Sequence, residues 1–165
     1  VSFSFKEGAM TTHQAALFWS REGTDFLAQH YSRRHEWRFD GGARVSASSS
    51  PQVVPVPWSD PSAVDPEEAL VASVSSCHML WFLSIAAKAG WVVDRYTDAA
   101  TGLMARNEQG RQAITRIILR PEVQFAPGLQ PSCSEIDAMH HEAHEACFIA
   151  NSLKSEIRCE PVCSS

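Results

Sequence analysis

The stretch DPEEALVASVSSCHMLWFLSIAAKAG, Asp65 to Gly90, sets a cysteine and a histidine inside a long apolar run that opens on two glutamates. Cys77 has two readings there. It is a small buried hydrophobe, or it is a nucleophile, because the thiolate is the form that attacks electrophiles. Glu67 and Glu68 suit the first turn of a helix, where carboxylates meet the positive end of the dipole. Cys147, in HEACFIANS, poses the same choice as Cys77. Arg33 and Arg34 are neighbours in a stretch that alternates like a strand, so one of them points inward and needs a partner. His140 and His144 stand at i, i+4 near His141 and Cys147, a spacing able to hold zinc if His78 or Cys77 completed the set. The same HHEAHEAC run suits an ordinary half-exposed helix, and no metal is expected. GxSxG, GxGxxG and P-loop patterns are absent, which argues against a serine hydrolase and against dinucleotide or nucleotide-phosphate binding.

The elements that must position these residues are readable in outline. Strands are expected over His13–Arg21, Tyr31–Phe39 and Ala43–Ser50, with a hairpin turn at Asp40–Gly42. Ser50–Pro66 carries five prolines and can be neither a regular helix nor a central strand. Asp65 as N-cap and Pro66 at the first helical position start a helix that runs to Gly90. It is apolar nearly all round, so it lies in the middle of something. Two strands follow, Trp91–Arg106 and Gln112–Phe125, then a second helix over Cys133–Ser152 and a short edge strand near the end. The order is segregated α+β, and a second copy of the chain is the simplest cover for the long helix.

The 165 residues suffice for a single domain, expected over residues 12–165, with residues 1–11 a tag remnant or disordered lead. A formal net charge of −5 speaks against a nucleic-acid partner. No run is read as a membrane span and no leader is read at the start, so a cytoplasmic protein is expected. Five cysteines without a CxxC pair do not read as a secreted disulfide framework. Cys133, Cys159 and Cys163 are taken as incidental thiols.

Two motifs carry a resemblance. DPEEALVASVSSCHM has its cysteine ten residues after Glu67, and HEACFIANS places a second cysteine on a second helix. Together with YSRRHEWRFDGG and the order of elements, they make the chain resemble the OsmC/Ohr family of osmotically induced and organic-hydroperoxide-resistance proteins, in an OsmC-like branch. The resemblance implies an α+β fold with antiparallel sheets wrapped around long central helices in an intertwined homodimer. It also implies a cofactor-free thiol peroxidase that reduces organic hydroperoxides to alcohols. Cys77 would then be the peroxidatic cysteine and Cys147 the resolving one. Glu67 would orient an activating arginine, here Arg33 with Arg34 and Arg21 as alternatives. A dithiol, of which a lipoyl protein is one candidate, would regenerate the pair. The alternative within the same fold is a non-catalytic protein that binds a small molecule at the dimer interface or senses redox state through the two cysteines.

Two departures stand beside the resemblance: Phe148 takes the place of a proline after the second cysteine, and His78 follows the first. Ten helical residues, at about 1.5 Å each, separate Glu67 from Cys77 by roughly 15 Å. Glu67 is therefore expected to serve the site of the partner subunit.

Overall fold

The computed structural model describes residues 10–128 and 130–163. The expected lead lies outside them except for Met10 and Thr11, which are exposed and irregular. The described residues form two compact units, divided between Pro66 and Glu67.

The first unit is built on an antiparallel sheet of β1 (Ala15–Phe18), β2 (His35–Phe39) and β3 (Arg44–Ala47), in that order. The β2–β3 hairpin turns at the Asp-Gly-Gly, where Gly42 takes a φ of 86° that a side chain would strain. The strand expected from Tyr31 begins only at His35. The Arg33 amide leaves the ladder to donate to the Trp58 carbonyl at 2.8 Å, so Arg33 and Arg34 sit in the approach to β2. The proline-rich stretch is tied back by its own hydrogen bonds. Ser48 N donates to Val64 O (3.1 Å), Val64 N to Ser46 O (3.0 Å), and Asp60 N to the Ser48 hydroxyl (3.0 Å).

The second unit is organised by α1 (Pro66–Lys88). The helix stops at Gly90, whose φ of 85° lets Trp91 N reach back to Ala86 O at 2.9 Å. By length and composition alone α1 could cross a membrane, which corrects the expectation that no segment qualifies. Two of its polar side chains are nevertheless paired inside the fold. Ser75 donates to Asp98 Oδ2 at 2.6 Å and His78 bonds to His140.

The two long strands expected after α1 are in fact four: β4 (Val93–Asp98), β5 (Thr101–Arg106), β6 (Gln112–Leu119) and β7 (Pro121–Phe125). The long hairpin changes sheet half-way. β5 and β6 pair in one sheet, β4 and β7 in another, and the switch is fastened by Arg120 N donating to Asp98 Oδ1 at 2.6 Å. β8 (Glu156–Cys159) joins the edge of β6, and this pair is parallel. The second helix also breaks. α2 (Cys133–Ala146) opens on a capping box between Ser132 and Glu135, Cys147 leaves helical geometry with ψ at 110°, and α3 (Phe148–Asn151) follows.

α1 serves two apolar clusters along its length. Phe82, Ile85 and Ala86 pack with Met139 and Ala143 of α2, while Val74 packs with Ile117 and Leu119 of β6. Sheet and helix approach closely at Gly102 of β5, where a Cβ would lie 2.6 Å from Val71 Cγ2. A valine in a helix has little rotamer freedom to yield. Gly102→Ala is therefore expected to destabilise the protein by about 1–3 kcal/mol, read as a lower midpoint in urea at unchanged slope.

Cys133 and Cys163 are bonded, with 5.9 Å between Cα atoms, which corrects the reading of both as incidental thiols. The bond ties the chain end to the start of α2. Free thiols remain at Cys77, Cys147 and Cys159.

Candidate active site

α1 presents Cys77 at mid-helix, half-buried, and the break after α2 presents Cys147, 1% exposed. The two side chains, 70 residues apart in sequence, are brought close enough in space for Cys77 to act on the Cys147 thiol. Burial pushes the Cys147 thiol up, and Cys77 beside it pushes it further. The pair is asymmetric, with Cys147 buried and Cys77 half-buried.

The helix break explains the position of Cys147. As C-cap of α2 its amide donates to His144 O at 3.2 Å, and as N-cap of α3 its sulfur accepts from Ala150 N at 3.4 Å. That contact opposes the effect of burial. Phe148, next in sequence, is 51% exposed and meets Trp81 edge-on at 5.4 Å. Trp81 lies one turn of α1 beyond Cys77. The aromatic pair thus flanks the thiols from both elements that carry them, and the residue at the proline position contributes half of it.

The other sequence candidates are placed as follows. Glu67 is half-buried in the first turn of α1, ten residues from Cys77 on one continuous helix. Arg33 is in the first unit, its guanidinium fixed on three sides. Nη1 donates to Gln29 O (2.8 Å) and Tyr31 O (2.6 Å), and the group lies 3.8 Å from the Tyr31 ring centre. Arg34 pairs with Asp60 at 2.5 Å. Arg21 and Arg34 share the lining of a cavity of about 600 Å³ within the first unit, together with Trp19, His35, Glu36 and Arg44.

The histidines are arranged differently from the zinc spacing considered above. His140 bonds to His78, Nδ1 to Nε2 at 2.9 Å. Cys159 of β8 completes the group, its sulfur 3.6 Å from His78 Nε2. Burial holds His78 down to about 4, assisted by the charge of His144 and opposed by Asp98, and burial then His78 hold His140 down to about 3. Cys159 was missed as a functional candidate. Its signal lay in the alternation of EIRC, which turns Ile157 and Cys159 to the same inward face.

Residues 59–161 match the family model for OsmC-like protein. The chain belongs to the OsmC-like family. A solved OsmC-like protein of unknown function from Vibrio cholerae is 49% identical, with a TM-score of 0.91 over 93% of this chain and all of that one. An organic hydroperoxide resistance protein from Elizabethkingia anophelis shares 16% identity at a TM-score of 0.66, covering 93% of this OsmC-like chain and 96% of its own. The organic hydroperoxide resistance protein OhrB of Bacillus subtilis shares 12% at a TM-score of 0.65, over 93% and 100%. The last two likenesses concern the fold. No curated protein matches the sequence.

Proposed function

We propose that this protein is a thiol peroxidase that reduces organic hydroperoxides to alcohols through Cys77 and Cys147. The observation that carries the reading is the proximity of the two thiols, close enough for Cys77 to act on Cys147, because resolution of an oxidised cysteine needs a second sulfur in reach. Membership of a family that includes organic-hydroperoxide-resistance proteins supports the same reading.

In the first step the Cys77 thiolate attacks the outer oxygen of R–O–OH. The O–O bond breaks, Cys77 becomes the sulfenic acid, and RO⁻ leaves and takes up a proton as the alcohol. The Cys147 thiol then condenses with the sulfenic acid, forming the disulfide and releasing water. A dithiol reductant restores both thiols by exchange and is itself oxidised to its disulfide. A guanidinium beside the peroxide oxygens stabilises the charge that develops on RO⁻. Arg33 is assigned that role, because its fixed hydrogen bonds and its seat on Tyr31 hold it ready without reorganisation, and Glu67 is assigned to orient it across a homodimer. Leu80 of α1 and Leu103 and Met104 of β5 are about half exposed in the single chain, the apolar surface that a second copy would cover.

The Trp81–Phe148 pair gives the site an apolar flank, so a bulky hydroperoxide is preferred over hydrogen peroxide. Phe148→Ala is expected to reduce turnover of cumene hydroperoxide about tenfold while leaving that of hydrogen peroxide within about twofold, a difference of the size one lost apolar contact supplies. The test of the function itself is single-turnover consumption of cumene hydroperoxide by the reduced protein, with thiols counted before and after. Rapid loss of two thiols per chain supports a peroxidase. Loss at the rate of a free thiol would leave a binding or sensing protein of the same fold.

A further inference from the structure

The group formed by His78, His140 and Cys159 lies outside the chemistry just described. Three separate elements, α1, α2 and β8, bring it together, and both imidazoles are at most 2% exposed. The cluster is costly as mere packing. Two neutral imidazoles that share one N–H leave a second N–H without an acceptor, and His78 Nδ1 and His140 Nε2 are both buried with no hydrogen-bond partner. The inner atoms, by contrast, converge. His78 Nε2, His140 Nδ1 and Cys159 Sγ lie within 4.8 Å of one another, a nitrogen, nitrogen and sulfur donor set.

We propose that these three residues bind a single Zn²⁺ ion. Zinc–nitrogen bonds of about 2.0–2.1 Å and zinc–sulfur bonds of about 2.3 Å at tetrahedral angles put nitrogen and sulfur about 3.6 Å apart and the two nitrogens about 3.3 Å apart. The His78–Cys159 separation of 3.6 Å already meets the first figure, and the imidazoles, at 2.9 Å, part by a few tenths of an ångström as the metal replaces their hydrogen bond. The Cys159 thiol releases its proton to solvent and binds as thiolate, and the shared imidazole proton moves to the outer nitrogen of its own ring. The Tyr96 hydroxyl is likewise buried without a partner, its ring 6.3 Å from that of His140. The Asp98 carboxylate, whose charge reaches His78, Tyr96 and Cys159, offsets the net positive charge of zinc and one thiolate. A water completes the tetrahedron.

The probe is Co²⁺ followed by Zn²⁺, added without air to metal-free protein carrying Cys77→Ser and Cys147→Ser, so that the peroxide-reactive thiols take no part. One equivalent of Co²⁺ should bring up tetrahedral ligand-field absorption and a thiolate-to-cobalt charge-transfer band, and one equivalent of Zn²⁺ should abolish both. Adding Cys159→Ser should remove the charge-transfer band, and His140→Gln should weaken cobalt binding at least about tenfold. Absence of the band in the parent variant overturns the proposal without recourse to any change at the site. So does a band that survives Cys159→Ser.

Discussion

Cys77→Ser is expected to slow the reduction of cumene hydroperoxide by at least about a thousandfold, to the level of the remaining surface chemistry, because it removes the only atom that forms a bond to the peroxide oxygen. Cys147→Ser is expected to behave differently. The first turnover should proceed at close to the parent rate and the second should fail, with Cys77 left as a sulfenic acid that a dimedone-type reagent captures and that excess peroxide carries on to sulfinic acid. The contrast follows from the asymmetry of the pair. Burial of Cys147 pushes its thiol up and keeps it protonated, whereas Cys77, half-buried on α1, is the sulfur that meets substrate. Equal loss of the first turnover in both variants would assign the attack to the pair as a unit and contradict this division of roles.

The metal-free protein should lose stability steeply on mild acidification. His78 and His140 have folded values of about 4 and about 3, against an ordinary 6.5 in the unfolded chain. Above 6.5 both are neutral in either state and their contribution is fully present. As pH falls below 6.5 the unfolded chain takes up two protons that the folded one refuses, so stability falls until the pH passes through the folded values. Between pH 7 and pH 5 the loss is of order 4 kcal/mol, a large share of the stability of an ordinary domain. The groups facing the pair are Asp98, Tyr96, Cys159 and His144, and of these Asp98 opposes the loss by favouring a charged His78. Urea unfolding at pH 7 and pH 5 measures the difference, and His140→Phe should remove about half of it. A midpoint unchanged between the two pH values would show the imidazoles to be solvated.

Much of this arrangement is legible in the sequence. The Asp-Pro-Glu-Glu opening of α1, the hairpin glycines and the two cysteine motifs each encode local structure, so they survive translation into the fold. Long-range pairing is encoded less locally, and there the expectations fell short. Nothing in Trp91–Arg106 or Gln112–Phe125 announces that the hairpin changes sheet, because the switch depends on Asp98 finding the Arg120 amide 22 residues away. The end of α2 at Cys147 is similarly silent: no glycine or proline marks it, and a continuous helix to Ser152 fits the pattern as well. The bonded Cys133 and Cys163 are 30 residues apart, and spacing alone cannot pair them. The His78–His140–Cys159 group is the clearest case. The sequence set His140 beside His144 by helical spacing, while packing turned it to α1 and to a strand at the far end of the chain.

The central claim is that Cys77 and Cys147 are joined in the catalytic cycle. One equivalent of cumene hydroperoxide added to the reduced protein, followed by alkylation of remaining thiols, digestion without reductant and mass mapping, tests it most directly. The account predicts one new cross-link per turnover, between the peptides of Cys77 and Cys147, with Cys159 alkylated. Cys77 recovered alkylated, or cross-linked to any other cysteine, would contradict it.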